Sequence, residues 1–227
     1  MGIRRKVIDA VVPDVHKVAP KLNRGFIHQT LLRAINGVGP LPSAAAVAEK
    51  HLRDNEGAVD QAVNDVVKTH TGLAAGEGFV TNLGGLTTAP ATIPANIAGL
   101  ALLQCRMVAT IAHLRGYDLS DGRVRNAILL CVLGEDAVKQ LVRKRRIPGR
   151  PSVLVTAPVH DPELDALVAG EVTSALISRV IGKRAAGTVI RRVPVAGGVW
   201  GASSDGWNTW QVGRYAAREL MARRHPH

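Results

Sequence analysis

Phe79–Cys105, FVTNLGGLTTAPATIPANIAGLALLQC, carries no charged side chain, and whether it crosses a bilayer or fills a core decides what kind of protein this is. It is longer than the roughly 20 apolar residues a membrane-spanning helix needs. Yet Pro90, Pro94, Gly84, Gly85 and Gly99 interrupt it, together with several Thr and Asn residues, and these argue against one uninterrupted span. The pattern predicts a short Gly-rich helix, a Pro-marked break, and a second helix that starts near Pro94 and ends at Gly116. Proline suits the first turn of that helix, where its missing N–H has no partner to lose.

On the N-terminal side, apolar residues recur at helical spacing over Leu22–Asn36 and stop at Gly37-Val38-Gly39-Pro40. Ser43 caps a predicted helix through Ala44, Val47, Ala48 and Leu52, and a third helix fits Ala58, Ala62, Val63, Val66 and Val67 before Gly72. On the C-terminal side, Ser120 or Asp121 opens a helix whose apolar run Ala127–Leu133 leads into Glu135, Lys139 and Arg143. The Glu135 to Lys139 spacing suits an exposed helical face. Basic residues mixed with Pro148, Gly149, Pro151 and Pro158 predict a loop or linker near 143–162. Asp161-Pro162-Glu163 then starts a further helix, with a capping Asp, Pro at the first position and acids that offset the helix dipole. The expected fold is all-α: a compact multi-helix bundle with two apolar Gly-rich helical segments. The expected organisation is a basic N-terminal segment over 1–21, one helical domain over 22–222 and a tail over 223–227.

Bulk composition agrees with a folded helical core. Of the 227 residues 46% are hydrophobic but only 3% aromatic, so the apolar content is Ala, Val, Leu and Ile. Cys105 and Cys131 both lie in apolar stretches, where unpaired cysteines act as small hydrophobes in a reducing compartment. The basic start Met1–Lys6 is followed by Asp9, Pro13 and Asp14, which break any secretory signal pattern. These features predict a cytoplasmic location, with association at the inner face of the membrane. A formal charge of +11 favours anionic partners: phospholipid headgroups, nucleic acid or an acidic protein.

Two stretches resemble the EcsC family. The first is GFVTNLGG at Gly78–Gly85, then IPAN at Ile93–Asn96 and LQCRMVATIAHLRGYD at Leu103–Asp118; the second is VPVAGG at Val193–Gly198 with Asp205, Thr209, Gly213 and Ala216 downstream. The resemblance covers roughly Ala34 to Leu220. It implies a helical, membrane-associated protein, from a family named for a protein encoded beside an ABC transporter, and it carries over no catalytic residues. The chain departs from the family pattern where Trp replaces branched apolar residues in the C-terminal stretch, which bears on any lipid contact there.

Several constellations call for a partner or a surface. Arg106 sits mid-helix among apolar residues, and on a helical projection it shares a narrow polar stripe with Gly99, Thr110 and His113. An isolated buried charge is costly, so a buried ion pair is expected, with Asp205 the preferred acid and Glu135 or Asp136 the alternatives. On that reading Arg106→Met costs roughly 3 kcal/mol or more by stranding the acid. A phosphate or lipid headgroup is the other partner such an arginine suits. Tyr117-Asp118 after Gly116 forms a turn.

All three tryptophans fall in one segment. In a helix Trp200, Trp207 and Trp210 form one stripe, with Gly198, Ala202 and Gly206 opposite, where small residues permit close helix approach. A core stripe and a membrane-interface anchor beside Arg214 and Arg218 both fit. The expectation is mixed, with one indole packed inward and at least one near the surface. Lys139, Arg143, Lys144, Arg145, Arg146 and Arg150 form the densest basic patch, for which a solvated helix end is the ordinary explanation.

No metal-ligand spacing, phosphate loop, dinucleotide fingerprint, nucleophile elbow or paired-acid signature occurs, so neither a cofactor nor an enzymatic activity is expected. The leading expectation is a peripheral or shallowly inserted protein at an anionic membrane surface. The alternatives are a soluble helical scaffold with a protein partner and non-specific nucleic-acid binding. Stacking platforms and a recognition helix for nucleic acid are missing, and nothing in the sequence points to a particular small molecule.

Overall fold

A computed structural model describes residues 25–76, 95–190 and 197–221, with side chains described for all of these except 95–96, 179–190 and 197–203. In chain order the helices are α1 (Gly25–Asn36), α2 (Ala44–Asp54), α3 (Val59–Ala75), α4 (Ala95–Leu114), α5 (Gly122–Leu133), α6 (Glu135–Arg143), α7 (Pro151–Leu154), α8 (Pro162–Ile190) and α9 (Gly197–Glu219). Among the described residues there is no strand, and the helices pack as one bundle. The Gly-rich stretch before Pro94 and the tail after Met221 lie outside the described residues, as does the basic N-terminal segment.

Local chemistry places most helix ends. Ser43 Oγ accepts from Ala46 N at 3.1 Å and so caps α2. Asp121 caps α5 by accepting from Arg123 N at 2.8 Å, and Asp161 accepts from Glu163 N at 2.9 Å at the start of α8. Two expected boundaries differ. α3 runs through Gly72 to Ala75, because a helical Gly costs only about 1 kcal/mol and the packed face on either side holds it. The run from Ala127 to Arg143 is two helices, since Gly134, at φ +98°, ends α5 and begins α6.

The expected loop over 143–162 contains α7 and packs on the bundle rather than linking domains. Ile147, Leu154 and Val155 are buried in the common core. The buried Glu219 at the end of α9 accepts from Ser152 Oγ at 2.7 Å and Ser152 N at 3.2 Å, tying the two segments together.

α4 is the centre of the molecule and touches α1, α2, α3, α5, α8 and α9. Leu102, Leu103, Met107 and Ile111 are among its fully buried side chains, each contributing about 1.5–3 kcal/mol through burial. Among the described residues one stretch, Ile97–Leu114, is long and apolar enough to cross a membrane, and 83% of it is buried inside the bundle. A core helix meets the same criteria of length and composition as a membrane span. Here the apolar surface is covered by protein. Cys105 and Cys131 are free and buried. Burial pushes the Cys105 thiol up to about 12 and that of Cys131 well above its ordinary value, so neither is a ready nucleophile.

Candidate functional site

α9 has two unlike faces, and side-chain size separates them. Gly206, Thr209, Gly213 and Ala216 recur at helical spacing and face inward. A Cβ at Gly213 would meet both Val67 methyl groups at 2.9 Å and Met107 Sδ at 3.1 Å; one at Gly206 would meet Ala75 Cβ at 3.0 Å. Glycine therefore lets α9 lie tight against α3 and α4, and Gln104 Nε2 donates to Thr209 Oγ1 across the buried seam at 3.1 Å. The predicted close approach of small residues holds at Gly206; the side-chain surroundings of Gly198 and Ala202 lie outside the described residues.

The opposite face carries the large and charged residues outward. Trp207 is 60% and Trp210 40% exposed, and their rings stack with centroids 4.8 Å apart and planes 19° from parallel. One turn further on, Arg214 Nη1 donates to Asn64 Oδ1 at 3.3 Å, and a turn beyond it Arg218 pairs with Glu135 Oε2 at 2.5 Å while lying over the Tyr215 ring. Both arginines remain exposed. A cleft of about 800 Å³ runs between this face and the start of α6, lined by Trp210, Arg214, Arg218, Glu135, Asp136 and Lys139. Lys139 holds Glu135 Oε1 at 2.8 Å, and this bond with the nearby Arg218 charge keeps the Glu135 carboxyl below its usual range. The glutamate is thus neutralised by two cations, and among the described residues Asp136 and Arg214 make no ion pair. The Trp200 side chain lies outside the described residues.

The other predicted residues are dispersed. Arg106 is buried, at 6% exposure, but no carboxylate pairs with it among the described residues, and its Nη1 lacks a hydrogen-bond partner. Burial lowers its guanidinium pKa. The preferred partner Asp205 is half-buried on α9 with an interaction of its own, Glu135 is held by Lys139 and Arg218, and Asp136 is exposed. The expected ion pair is therefore not among the described contacts. Burial lowers the pKa of His70 on α3 to about 4, and the charge of Arg106 adds to that shift. Thr110 is fully buried, with its hydroxyl 3.5 Å from the Ala44 carbonyl, while His113 is half-buried.

The basic patch is exposed throughout, and half of it is committed. Lys139 pairs with Glu135, Arg146 with Glu171 at 2.6 Å and Arg150 with Glu219 at 3.6 Å. Arg143, Lys144 and Arg145 make no ion pair among the described residues. Asp118 accepts from Ser120 N at 2.8 Å, the turn role expected of it.

One constellation escaped the sequence: His160 and Asn126 converge on Asp165. His160 lies before α8, Asp165 in its first turn and Asn126 on α5, and no fixed spacing announces the contact. Among the described residues no group of three or more His, Cys, Asp or Glu is placed to hold a metal ion. A family model described as the EcsC protein family matches residues 26–224. No curated protein and no solved structure matches the chain.

Proposed function

We propose that this chain, which belongs to the EcsC protein family, binds peripherally to anionic membrane surfaces on the cytoplasmic side through the outer face of α9, without inserting α4. One observation carries the proposal: two adjacent indoles, 60% and 40% exposed and stacked on each other, stand on the face of α9 that turns away from the bundle. Indoles of this kind settle at headgroup depth, where the ring is desolvated and the N–H stays wet. Arg214 and Arg218 follow one and two turns on, and a net charge of +11 supplies the long-range attraction.

Co-sedimentation with vesicles tests this. Binding to anionic vesicles, little to zwitterionic ones, and a blue shift of the tryptophan emission that weakens with added salt are expected. Absence of binding to both kinds of vesicle overturns the proposal. A soluble scaffold with a protein partner is the second reading, favoured by the 83% burial of the one stretch among the described residues that is long and apolar enough to span a membrane. It predicts that vesicles leave the emission unchanged. Retention on duplex DNA that persists in moderate salt favours the third, nucleic-acid, reading, since contact with phosphates alone fades steeply as salt rises.

A further inference from the structure

The cleft between α9 and α6 already holds an anion, and that anion belongs to the protein. α9 packs against α3, α4 and α5, which leaves the space of about 800 Å³ beside the start of α6. Glu135 reaches across it, with Oε1 2.8 Å from Lys139 Nζ on its own helix and Oε2 2.5 Å from Arg218 Nη2 on α9. Two cations from two helices thus converge on one carboxylate. Arg214, one turn before Arg218, lines the same cleft, where its described bond is a 3.3 Å contact to the neutral Asn64 amide. Against these three cations stand Glu135 itself and the exposed Asp136.

The Glu135 side chain is not locked in place. Lys139, Arg218 and Glu135 are 53%, 55% and 39% exposed, and ion pairs this open to water add little to stability. What can replace the carboxylate follows from charge. Being tethered, it competes at the effective concentration of an intramolecular group, on the order of millimolar. A phosphodiester or a second carboxylate brings the same single charge and gains little Coulomb energy by the exchange. A phosphomonoester carries roughly −1.5 to −2 charges at neutral pH on three acceptor oxygens. Three oxygens can meet Lys139, Arg214 and Arg218 together, through charge-assisted hydrogen bonds.

We propose that the cleft takes a phosphomonoester group in place of the Glu135 carboxylate, with Lys139, Arg214 and Arg218 as its partners and Glu135 as the element that rejects diesters. The inference rests on the membrane-surface reading for the source of that group, a lipid headgroup that ends in its phosphate. Trp210 lines the cleft and Trp207 is not among its lining residues, so the indole anchor and the phosphate site can be perturbed separately.

Co-sedimentation of the full chain with two vesicle preparations of equal surface charge, one containing phosphatidic acid and the other phosphatidylglycerol, tests it. Binding about tenfold tighter to phosphatidic acid is expected, the ratio that one added charge-assisted hydrogen bond supplies. Glu135→Gln admits the diester, so the ratio falls toward unity, and Lys139→Gln lowers binding to phosphatidic acid to near the phosphatidylglycerol level. Trp207→Ala weakens binding to both preparations and keeps the ratio. Equal binding by the native chain, or a ratio that Glu135→Gln leaves unchanged, overturns the proposal. A second arm needs no membrane: nitrogen–proton correlation NMR follows the Trp210 indole N–H as methyl phosphate or dimethyl phosphate is added. A saturable shift with methyl phosphate alone is expected, and equal shifts with both, or none with either, overturn the proposal. If methyl phosphate binds while neither vesicle does, the membrane-surface reading fails and the cleft stands as a site for a soluble phosphomonoester.

Discussion

α4 and α9 invert what hydropathy suggests. α4 is the most apolar long helix of the described residues and is wrapped on every side, whereas α9 is nearly balanced in hydropathy and holds two indoles out to water. The difference lies in how side-chain size is distributed around each axis. Leu, Val, Ile and Met ring α4 on all sides, so it fits only inside other helices. On α9 the apolar volume is concentrated in Trp on one face while Gly, Ala and Thr occupy the other, so the helix docks by its small side. Apolar content alone identifies the core helix; the asymmetry identifies the surface that is left over.

The largest expected effect probes the burial of α4 through its neighbour on α3. His70 is almost fully buried, with Nδ1 at 2.8 Å from Val66 O, and burial lowers its pKa to about 4. The unfolded chain binds a proton near pH 6.5 and the folded chain does not until about pH 4, so stability is full above 6.5 and falls across that window. Urea unfolding at both ends of the window should show about 3 kcal/mol more loss in the native sequence than in His70→Phe. A variant that loses as much as the native protein would mean that His70 is solvated.

Next comes the seam between the two helices. Gly213→Val forces atoms into Val67 and Met107 and should cost about 1–3 kcal/mol by overpacking, read from the midpoint of thermal unfolding. Thr209→Val strands the Gln104 amide and should cost about 1–3 kcal/mol, while adding Gln104→Leu removes the stranded group and recovers most of the loss. Failure of the double variant to recover would show that the buried hydrogen bond does not hold the seam.

Arg106→Met gives a smaller change with an informative sign. With no carboxylate beside it among the described residues, removing the desolvated cation should leave stability unchanged or raised by about 1 kcal/mol, opposite to the loss expected of a buried pair. A loss near 3 kcal/mol would restore the ion pair. Smallest of all, Trp207→Ala should cost about 1 kcal/mol or less, since the indole is mostly in water and only its stacking on Trp210 is lost. The same variant should weaken the response to anionic vesicles. A cost of 3 kcal/mol or more, the size seen when a core aromatic is deleted, would place Trp207 in the core instead.

The fold was largely legible because its signals are local. Ser43, Asp121 and Asp161 satisfy N–H groups two or three residues away, and the apolar period of each helix is a property of a few turns. The break at Gly134 is not legible, because it depends on a backbone angle of +98° and an isolated glycine inside an apolar run gives no sign of which angle it takes. The candidate surface was half legible: the Trp stripe could be drawn on a helical wheel, but nothing in the wheel says which side is covered. The Asn126–Asp165–His160 contact was illegible, since it joins residues from α5, α8 and the loop before α8 whose separation in the chain follows no motif.

By itself the sequence determined an all-helical bundle, two buried unpaired cysteines, a strong positive charge and membership of a helical family, because periodicity, caps and composition act over a few residues or over the whole chain at once. Only the tertiary structure decided that α4 is enclosed, that the stretch after Arg143 packs onto the core, and that Trp207 and Trp210 face out. Each of these depends on which helix lies against which face, and that is settled by close packing between segments far apart in the chain. Gly213 against Val67 and Met107 is such a contact: each residue is unremarkable alone, and together they turn the indoles outward.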